Sequence, residues 1–283
     1  MKCIAATQAL YKDKRQRAWE LDFMRGIAVI AMCFDHLMFD LAYCKYWFSE
    51  RVANAAFDKL ISFAQSYWGS TATFGFRFWA HHIFVFVFLF LVGVSCAFSR
   101  DNVRRGALLS VVCFAFTGVT MIFAHYGLFG MEGIVFGILH CIALCILCAA
   151  AVDNLTKKVG WLNKYLPLVL GVIILFTGIY FKFWNISYDK YFTHSHFLGY
   201  ILGSKQFGDD WFGLWPQLGA VLIGMYWGKA AYPTKTSLVP ALGGKWNSPV
   251  NFIGRHALIA YLIHQVAIAG AVAVVCLAIG YRF

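Results

Sequence analysis

The sequence predicts an all-α fold: a polytopic membrane helix bundle of about seven transmembrane helices, with eight or more not excluded. Of its 283 residues, 61% are hydrophobic and only 13% are charged, with a mean hydropathy of +0.66, whereas soluble globular domains are about one quarter charged. The apolar residues also recur in blocks of about twenty, the length that crosses a ~30 Å hydrocarbon core. We therefore expect a single domain over residues 1–283 whose core is the helix bundle itself.

The apolar blocks predict seven spans, which lie near residues 21–43, 80–99, 106–125, 132–152, 165–184, 211–230 and 254–280. The half-polar stretch 45–78 between the first two has helical periodicity, and its helix is expected to lie along the membrane surface. The periodic apolar residues are Val52, Ala56, Leu60, Phe63 and Tyr67. Residues 1–18 form a polar, basic tail, and no cleavable signal peptide is evident in the sequence.

The distribution of lysine and arginine predicts the orientation of the chain. If the N-terminus is cytoplasmic, 16 of the 24 basic residues fall in inside segments, as the positive-inside rule requires. The net charge of +11 is then mostly a topological signal, and nucleic acid is not an expected partner. A basic inner face could still hold an anionic cytosolic ligand.

The first span contains ionisable residues at membrane depth. At 100° per residue, Asp22, Arg25, Cys33, His36 and Asp40 fall within roughly 80° of one another and form one stripe. His36 lies about 16 Å beyond Arg25 along the helix axis, and Asp40 is one turn away, where it could orient the imidazole. Such groups are costly in a bilayer unless paired or hydrated, so they indicate a functional site. A structural polar pair joining two helices is the alternative.

Further histidines are expected in the outer half of the bundle. His140 and His264 lie at a depth similar to that of His36 on two other spans, and His81 and His82 open the second span from outside. Several histidines at one depth, with carboxylates nearby, indicate general bases, metal ligands or haem ligands.

Five motifs, in order along the chain, carry a family resemblance. They are "RAWELDFMRGIAVIAMCFDH" (17–36), "FVFLFLVGVSCAFSR" (86–100), "FGILHCIALC" (136–145), "DDWFGLWPQLGAVLIGMYWGK" (209–229) and "IGRHALIAYLIHQ" (253–265). Together they resemble the catalytic domain of heparan-alpha-glucosaminide N-acetyltransferases, a family close to YeiB-like bacterial membrane acyltransferases. The short chain looks bacterial, so the inner membrane is its expected location, and the basic residues predict a cytoplasmic N-terminus.

The resemblance implies transfer of acetyl from cytosolic acetyl-CoA to an amine or hydroxyl, typically of a sugar or glycan, on the far side of the membrane. The expected partners are the lipid bilayer, the coenzyme A thioester and that acceptor. Arginine and lysine are natural partners for the phosphates of CoA. The cofactor-binding candidates are Asp22 with Arg25, at the cytoplasmic end of the first span, together with Arg100, Arg104, Arg105, Lys229 and Arg255.

The catalytic role is assigned to a histidine. In the lysosomal relatives it belongs to the luminal loop after the first conserved span, but the matching stretch here, residues 44–79, has no histidine. The role therefore falls to His36 with Asp40 as its orienting group, or else to His81 or His82. Either direct base catalysis or an acetylated histidine is compatible with the sequence. Acceptor contacts are expected from His140, Asp210, His264 and Gln265.

Two other function classes fit parts of the pattern. Buried aspartate and histidine suit a proton-coupled small-molecule transporter, although no repeat halves are visible. A haem or metal protein would use paired histidines at two depths. Cys141, Cys145 and Cys148 share one helix face but are read as packing residues, so no metal is expected. The oligomeric state stays open, with a homodimer as the candidate assembly.

Overall fold

Nine α-helices make up most of the chain in a computed structural model, which describes residues 18–69, 75–127, 133–183, 201 and 211–283. No β-strand occurs in these ranges, so the all-α prediction is confirmed. In chain order the helices are α1 (Trp19–Tyr43), α2 (Ala55–Gly69), α3 (Phe76–Phe98), α4 (Asn102–His125), α5 (Ile138–Thr156), α6 (Gly160–Phe183), α7 (Leu214–Ala231), α8 (Ser248–Arg255) and α9 (Ala257–Ile279).

Six of these helices are long and apolar enough to cross a membrane, namely α1, α3, α4, α5, α6 and α9. They correspond to six of the seven predicted spans, so the chain is a multi-pass membrane protein. The seventh predicted span is present as α7. Over the described residues, this helix is not among those that are long and apolar enough to cross a membrane. Its first turn is interrupted at Trp215, where φ is −103° and ψ is 122°, immediately before Pro216.

Local sequence explains several helix ends. The Asp101 side chain accepts a hydrogen bond from the backbone N–H of Arg104 and so caps the start of α4. Pro249 occupies the first turn of α8, where its missing N–H costs nothing. Gly280 ends α9 at φ 113°, a left-handed conformation that glycine adopts without strain.

The chain divides into two units, of which the first comprises the described residues up to Phe88 together with Ser237–Phe283. In this unit α2, α8 and α9 pack against α1. Met38, Phe57, Ile61, Cys276 and Tyr281 belong to its apolar core. An antiparallel bridge between Glu50 and Arg282 joins the end of the chain to the segment after α1.

The amphipathic helix α2 turns part of its periodic apolar face away from the core of its unit. Phe57, Ile61 and Ala64 are buried, whereas Leu60 and Phe63, on the face that the periodicity picked out, are exposed. The exposed apolar side chains suit the predicted position at a membrane surface, which stays a prediction.

The second unit is Leu89–Thr236. Within it α6 packs along α7 and α4 packs along α5. A Cβ on Gly219 would lie 2.7 Å from the carbonyl oxygen of Gly171, so glycine is what lets α6 and α7 approach closely. On α4 large apolar side chains such as Leu108, Val111 and Phe114 are exposed, as expected for a surface covered by lipid.

Candidate active site

The first unit brings together two of the predicted histidines. His36 on α1 and His264 on α9 have ring centroids 4.8 Å apart, with an interplanar angle of 65°. They are 228 positions apart in the sequence, and only their similar predicted depth suggested that they could meet. Two imidazoles in contact inside a membrane helix pair offer a base and a second proton carrier at one point.

His264 is held in one tautomer. Its side chain is buried, with 8% of the residue exposed, and Nδ1 is in hydrogen-bond contact with the backbone carbonyl of Tyr261. Because a carbonyl only accepts, Nδ1 must carry the proton, and Nε2 then presents a lone pair. Nε2 is buried and has no hydrogen-bond partner in the part of the chain that the structure describes. His264 therefore offers an unused basic nitrogen.

Asp40 and Gln265 form the next contact between the same two helices. The Gln265 amide nitrogen donates to both carboxylate oxygens of Asp40, at 3.0 and 3.2 Å, and only 1% of Asp40 is exposed. The carboxylate that the sequence assigned to His36 thus binds the glutamine of α9. The Gln265 carbonyl oxygen is buried without a partner among the described residues, which leaves a second free acceptor beside His264.

A polar cluster that the sequence analysis missed surrounds Asp35. Arg77 binds the carboxylate of Asp35 with two parallel hydrogen bonds, from Nε at 2.8 Å and Nη2 at 2.9 Å. The guanidinium carbon lies 3.4 Å from the ring centroid of Trp68. The Tyr67 hydroxyl donates to Asp35 at 3.2 Å. Burial, together with the adjacent carboxylate, raises the pKa of Tyr67 to about 12, so this phenol stays protonated.

His81 extends this cluster. Its Nδ1 lies 3.9 Å from Asp35 Oδ2, and its side chain is 36% exposed. His36 is within electrostatic range of this cluster through Asp35, His81 and Arg77, and also of its pair partner His264. His36 therefore lies close both to His264 and to this more open polar cluster. His82 instead donates from Nδ1 to the Phe78 carbonyl at 2.7 Å, with its ring 5.5 Å from that of His81.

The predicted pair of Asp22 and Arg25 is present near the start of α1, at the opposite end of this helix from Asp40. Arg25 Nη1 donates to Asp22 Oδ1 at 3.0 Å, and Arg255 Nε donates to the other carboxylate oxygen at 3.3 Å. A Cβ on Gly254 would clash with the Asp22 carbonyl oxygen, so this glycine is what lets α8 pack against α1. The Arg255 side chain is 47% exposed.

The other predicted cofactor contacts belong to the second unit. Arg100 and Arg104 are exposed. Arg105 donates to the Ser95 carbonyl and to the Asn102 side chain, at 3.2 and 3.1 Å. Lys229 donates to Asp153, to the Asn163 carbonyl and to the Asn163 side chain, at 2.6, 3.0 and 2.8 Å. Because an ammonium has three protons, Lys229 is already satisfied inside its own unit.

His140 is likewise satisfied within the second unit. Its Nδ1 accepts from the backbone N–H of Gly137 at 3.3 Å, so Nε2 carries the proton and donates to Thr117 Oγ1 at 2.9 Å. This arrangement suits a structural histidine at the start of α5.

Asp210, another predicted acceptor contact, lies outside the described residues. Across the described ranges no group of three or more histidine, cysteine or acidic side chains is arranged to hold a metal ion.

Residues 17–64 and 55–266 match, in two overlapping stretches, the family described as heparan-alpha-glucosaminide N-acetyltransferase, catalytic. No curated protein and no solved structure matches the chain. The matched stretches include both histidines of the pair and Gln265, and they confirm the resemblance carried by the five motifs. The chain therefore belongs to the heparan-alpha-glucosaminide N-acetyltransferase catalytic family and is a membrane acetyltransferase.

Proposed function

We propose that the protein transfers an acetyl group from acetyl-CoA, bound at the cytosolic side, to an amine or hydroxyl of an amino sugar or glycan at the other side of the membrane. The observation that carries this proposal is the contact of His36 with His264, because acyl transfer needs a group that accepts a proton or carries the acyl group. The family assignment supplies the reaction class, and the histidine pair supplies suitable chemistry.

His36 is the proposed reaction centre. In direct transfer it takes the proton of the acceptor N–H or O–H while that atom attacks the thioester carbonyl, the C–S bond breaks, and the thiolate of CoA leaves. In the two-step form an imidazole nitrogen attacks the same carbonyl and carries the acetyl group to the acceptor. His81, near Asp35, and His82 remain candidates for a catalytic role in either form.

The proposed donor contacts in the first unit are Arg25 and Arg255, held by Asp22. Two guanidiniums share one carboxylate here, so the cluster keeps a net positive charge. Such a cluster attracts phosphate, and Arg255 is exposed enough to bind it. The roles of Arg100, Arg104, Arg105 and Lys229 as further cofactor contacts stay predictions.

The proposed acceptor contacts are His264 and Gln265, supported by the free hydrogen-bond acceptors that both present. Sugars carry hydroxyl and amine protons that these atoms can receive. His140 and Asp210 stay predicted acceptor contacts. The bacterial inner membrane and a cytoplasmic N-terminus are likewise part of the proposal.

Calorimetric titration of the detergent-solubilised protein with acetyl-CoA and CoA, combined with thioester turnover on glucosamine, tests the proposal. The variants are His36→Ala and the matched control His256→Ala, since His256 is an exposed histidine of the same unit. Saturable binding in all three proteins, with turnover lost only in His36→Ala, supports the proposal.

Turnover that persists in His36→Ala would move the chemistry to another histidine. Absence of binding by the unmodified protein at millimolar acetyl-CoA would contradict the proposal. Solute uptake without acetyl transfer would then identify a proton-coupled transporter.

A further inference from the structure

The contact of α1 with α9 holds more hydrogen-bond acceptors than donors. His264 Nε2 and the Gln265 carbonyl oxygen are both buried without a partner in the described ranges. Among the described residues, the Asp40 carboxylate receives hydrogen bonds from the Gln265 amide alone. Buried acceptors are normally satisfied, so this group is complementary to a molecule that brings N–H or O–H protons.

His264 differs from the other histidines of the cluster in having its tautomer fixed with the basic nitrogen free. The Tyr261 carbonyl holds the proton on Nδ1, and it would also stabilise the imidazolium formed if Nε2 took a second proton. His36 lies next to it, with 4.8 Å between ring centroids. His36 is therefore the neighbouring imidazole to which a proton taken up by His264 would be returned.

We propose that His264 Nε2 takes the proton of the acceptor amine or hydroxyl and returns it to His36, which carries the acetyl group. This inference rests on the proposed acetyl transfer and deepens it. It assigns one histidine to the acyl group and the other to the proton.

In the first step a nitrogen of His36 attacks the thioester carbonyl, a C–N bond forms and the C–S bond breaks. The proton from the other nitrogen of His36 ends on the sulfur of CoA. In the second step the acceptor nitrogen or oxygen attacks the acetyl carbon, its proton moves to His264 Nε2, and the bond between acetyl and His36 breaks. The proton then moves from His264 to the ring of His36, which restores both histidines.

The test uses His264→Asn in the full-length purified protein. The asparagine amide nitrogen takes the place of Nδ1 and can still donate to the Tyr261 carbonyl, but the basic Nε2 is gone. His256→Asn is the matched control, because His256 Nδ1 makes the same kind of bond, to the Phe252 carbonyl at 2.9 Å, on an exposed side chain. Radiolabelled acetyl-CoA without acceptor measures the first step, and added glucosamine measures the second.

We expect one equivalent of CoA to be released in a burst, with label retained on the protein, in the unmodified enzyme, in His264→Asn and in His256→Asn. With glucosamine, transfer in His264→Asn should be slower by about 10²–10⁴-fold, the usual contribution of a general base. His36→Asn should show no burst. His264→Gln serves as the second variant if His264→Asn does not bind acetyl-CoA.

Several results would overturn the inference. Transfer at the normal rate in His264→Asn would mean that His264 lines the site but takes no part in proton transfer. Loss of the burst in a His264 variant that still binds acetyl-CoA would place His264 in the first step. Transfer by the unmodified enzyme without a burst would mean that the acetyl group passes directly. No transfer by the unmodified enzyme would be a failure of the proposed function itself.

Discussion

Replacing Arg77 by methionine removes the partner of a carboxylate within a membrane-spanning helix. The side chains of Arg77 and Asp35 are only 12% and 17% exposed, and the guanidinium also stacks on Trp68. Methionine keeps much of the apolar volume but none of the charge, so Asp35 would lose both of its bonds to Arg77. We expect Arg77→Met to destabilise the first unit strongly.

The magnitude follows from the geometry of the pair. Removing one partner of a buried ion pair costs about 3–5 kcal/mol, and the residual exposure here favours the lower end. Loss of the contact with Trp68 adds about 1 kcal/mol. The double variant Asp35→Asn/Arg77→Met leaves no unpaired charge, so it should lose about 2 kcal/mol less than the sum of the two single variants.

Equilibrium unfolding by SDS in mixed micelles, followed by tryptophan fluorescence, measures these free energies. The control is the half-exposed pair formed by Lys45 and Asp58 at 2.7 Å, for which we expect at most a weak coupling, smaller than that of Asp35 with Arg77, because solvent screens it. Additive effects of Asp35→Asn and Arg77→Met would refute the reasoning, since they would mean that the pair contributes no interaction of its own.

Four further outcomes are expected. Gly254→Ala should lower the free energy of unfolding by about 1–3 kcal/mol through overpacking, whereas Gly118→Ala, with nothing within 4 Å of its Cβ, should raise it slightly in the same SDS assay. Arg255→Gln should weaken acetyl-CoA binding about tenfold or more in calorimetry, through loss of a charged phosphate contact; unchanged affinity would exclude that contact. The 295 nm difference titration of Tyr67→Phe should lack a phenol that ionises near pH 12. Because the pKa of Tyr67 is raised in the folded state, its contribution to stability should be full below about pH 10 and be lost as the pH rises toward 12. If the phenol that disappears from the titration of Tyr67→Phe had instead ionised near pH 10, this expectation would be contradicted. Lys229→Met should destabilise the protein by about 1–3 kcal/mol, because three hydrogen bonds are lost.

The membrane-spanning helices could be predicted because span length and apolar content are local properties of the sequence. The contact of Asp22 with Arg25 was also predictable, since residues three apart meet on one helix face. The start of the second span was predicted at residue 80, four residues later than the start of α3 at Phe76. Arg77 was thereby left outside the helix, because a charge normally ends an apolar span. Its partner, Asp35, lies 42 positions away.

The histidines illustrate the same limit. Similar depth suggested that His36, His140 and His264 could share a site, but depth does not give the direction in which a side chain points. Thr117 and Gly137 occupy both ring nitrogens of His140, whereas one nitrogen of His264 has no partner among the described residues. Both outcomes depend on tertiary contacts between helices, which periodicity within one helix does not reveal.

Acetyl transfer across a sealed membrane is the most direct test of the proposed function. The protein is reconstituted into vesicles with one orientation, with radiolabelled acetyl-CoA on the side of Arg255 and glucosamine on the other side. We predict acetylated glucosamine on the acceptor side with the unmodified protein and with His256→Asn, and none with His36→Asn. Absence of product from the unmodified protein, or equal product from His36→Asn, would contradict acetyl transfer through His36.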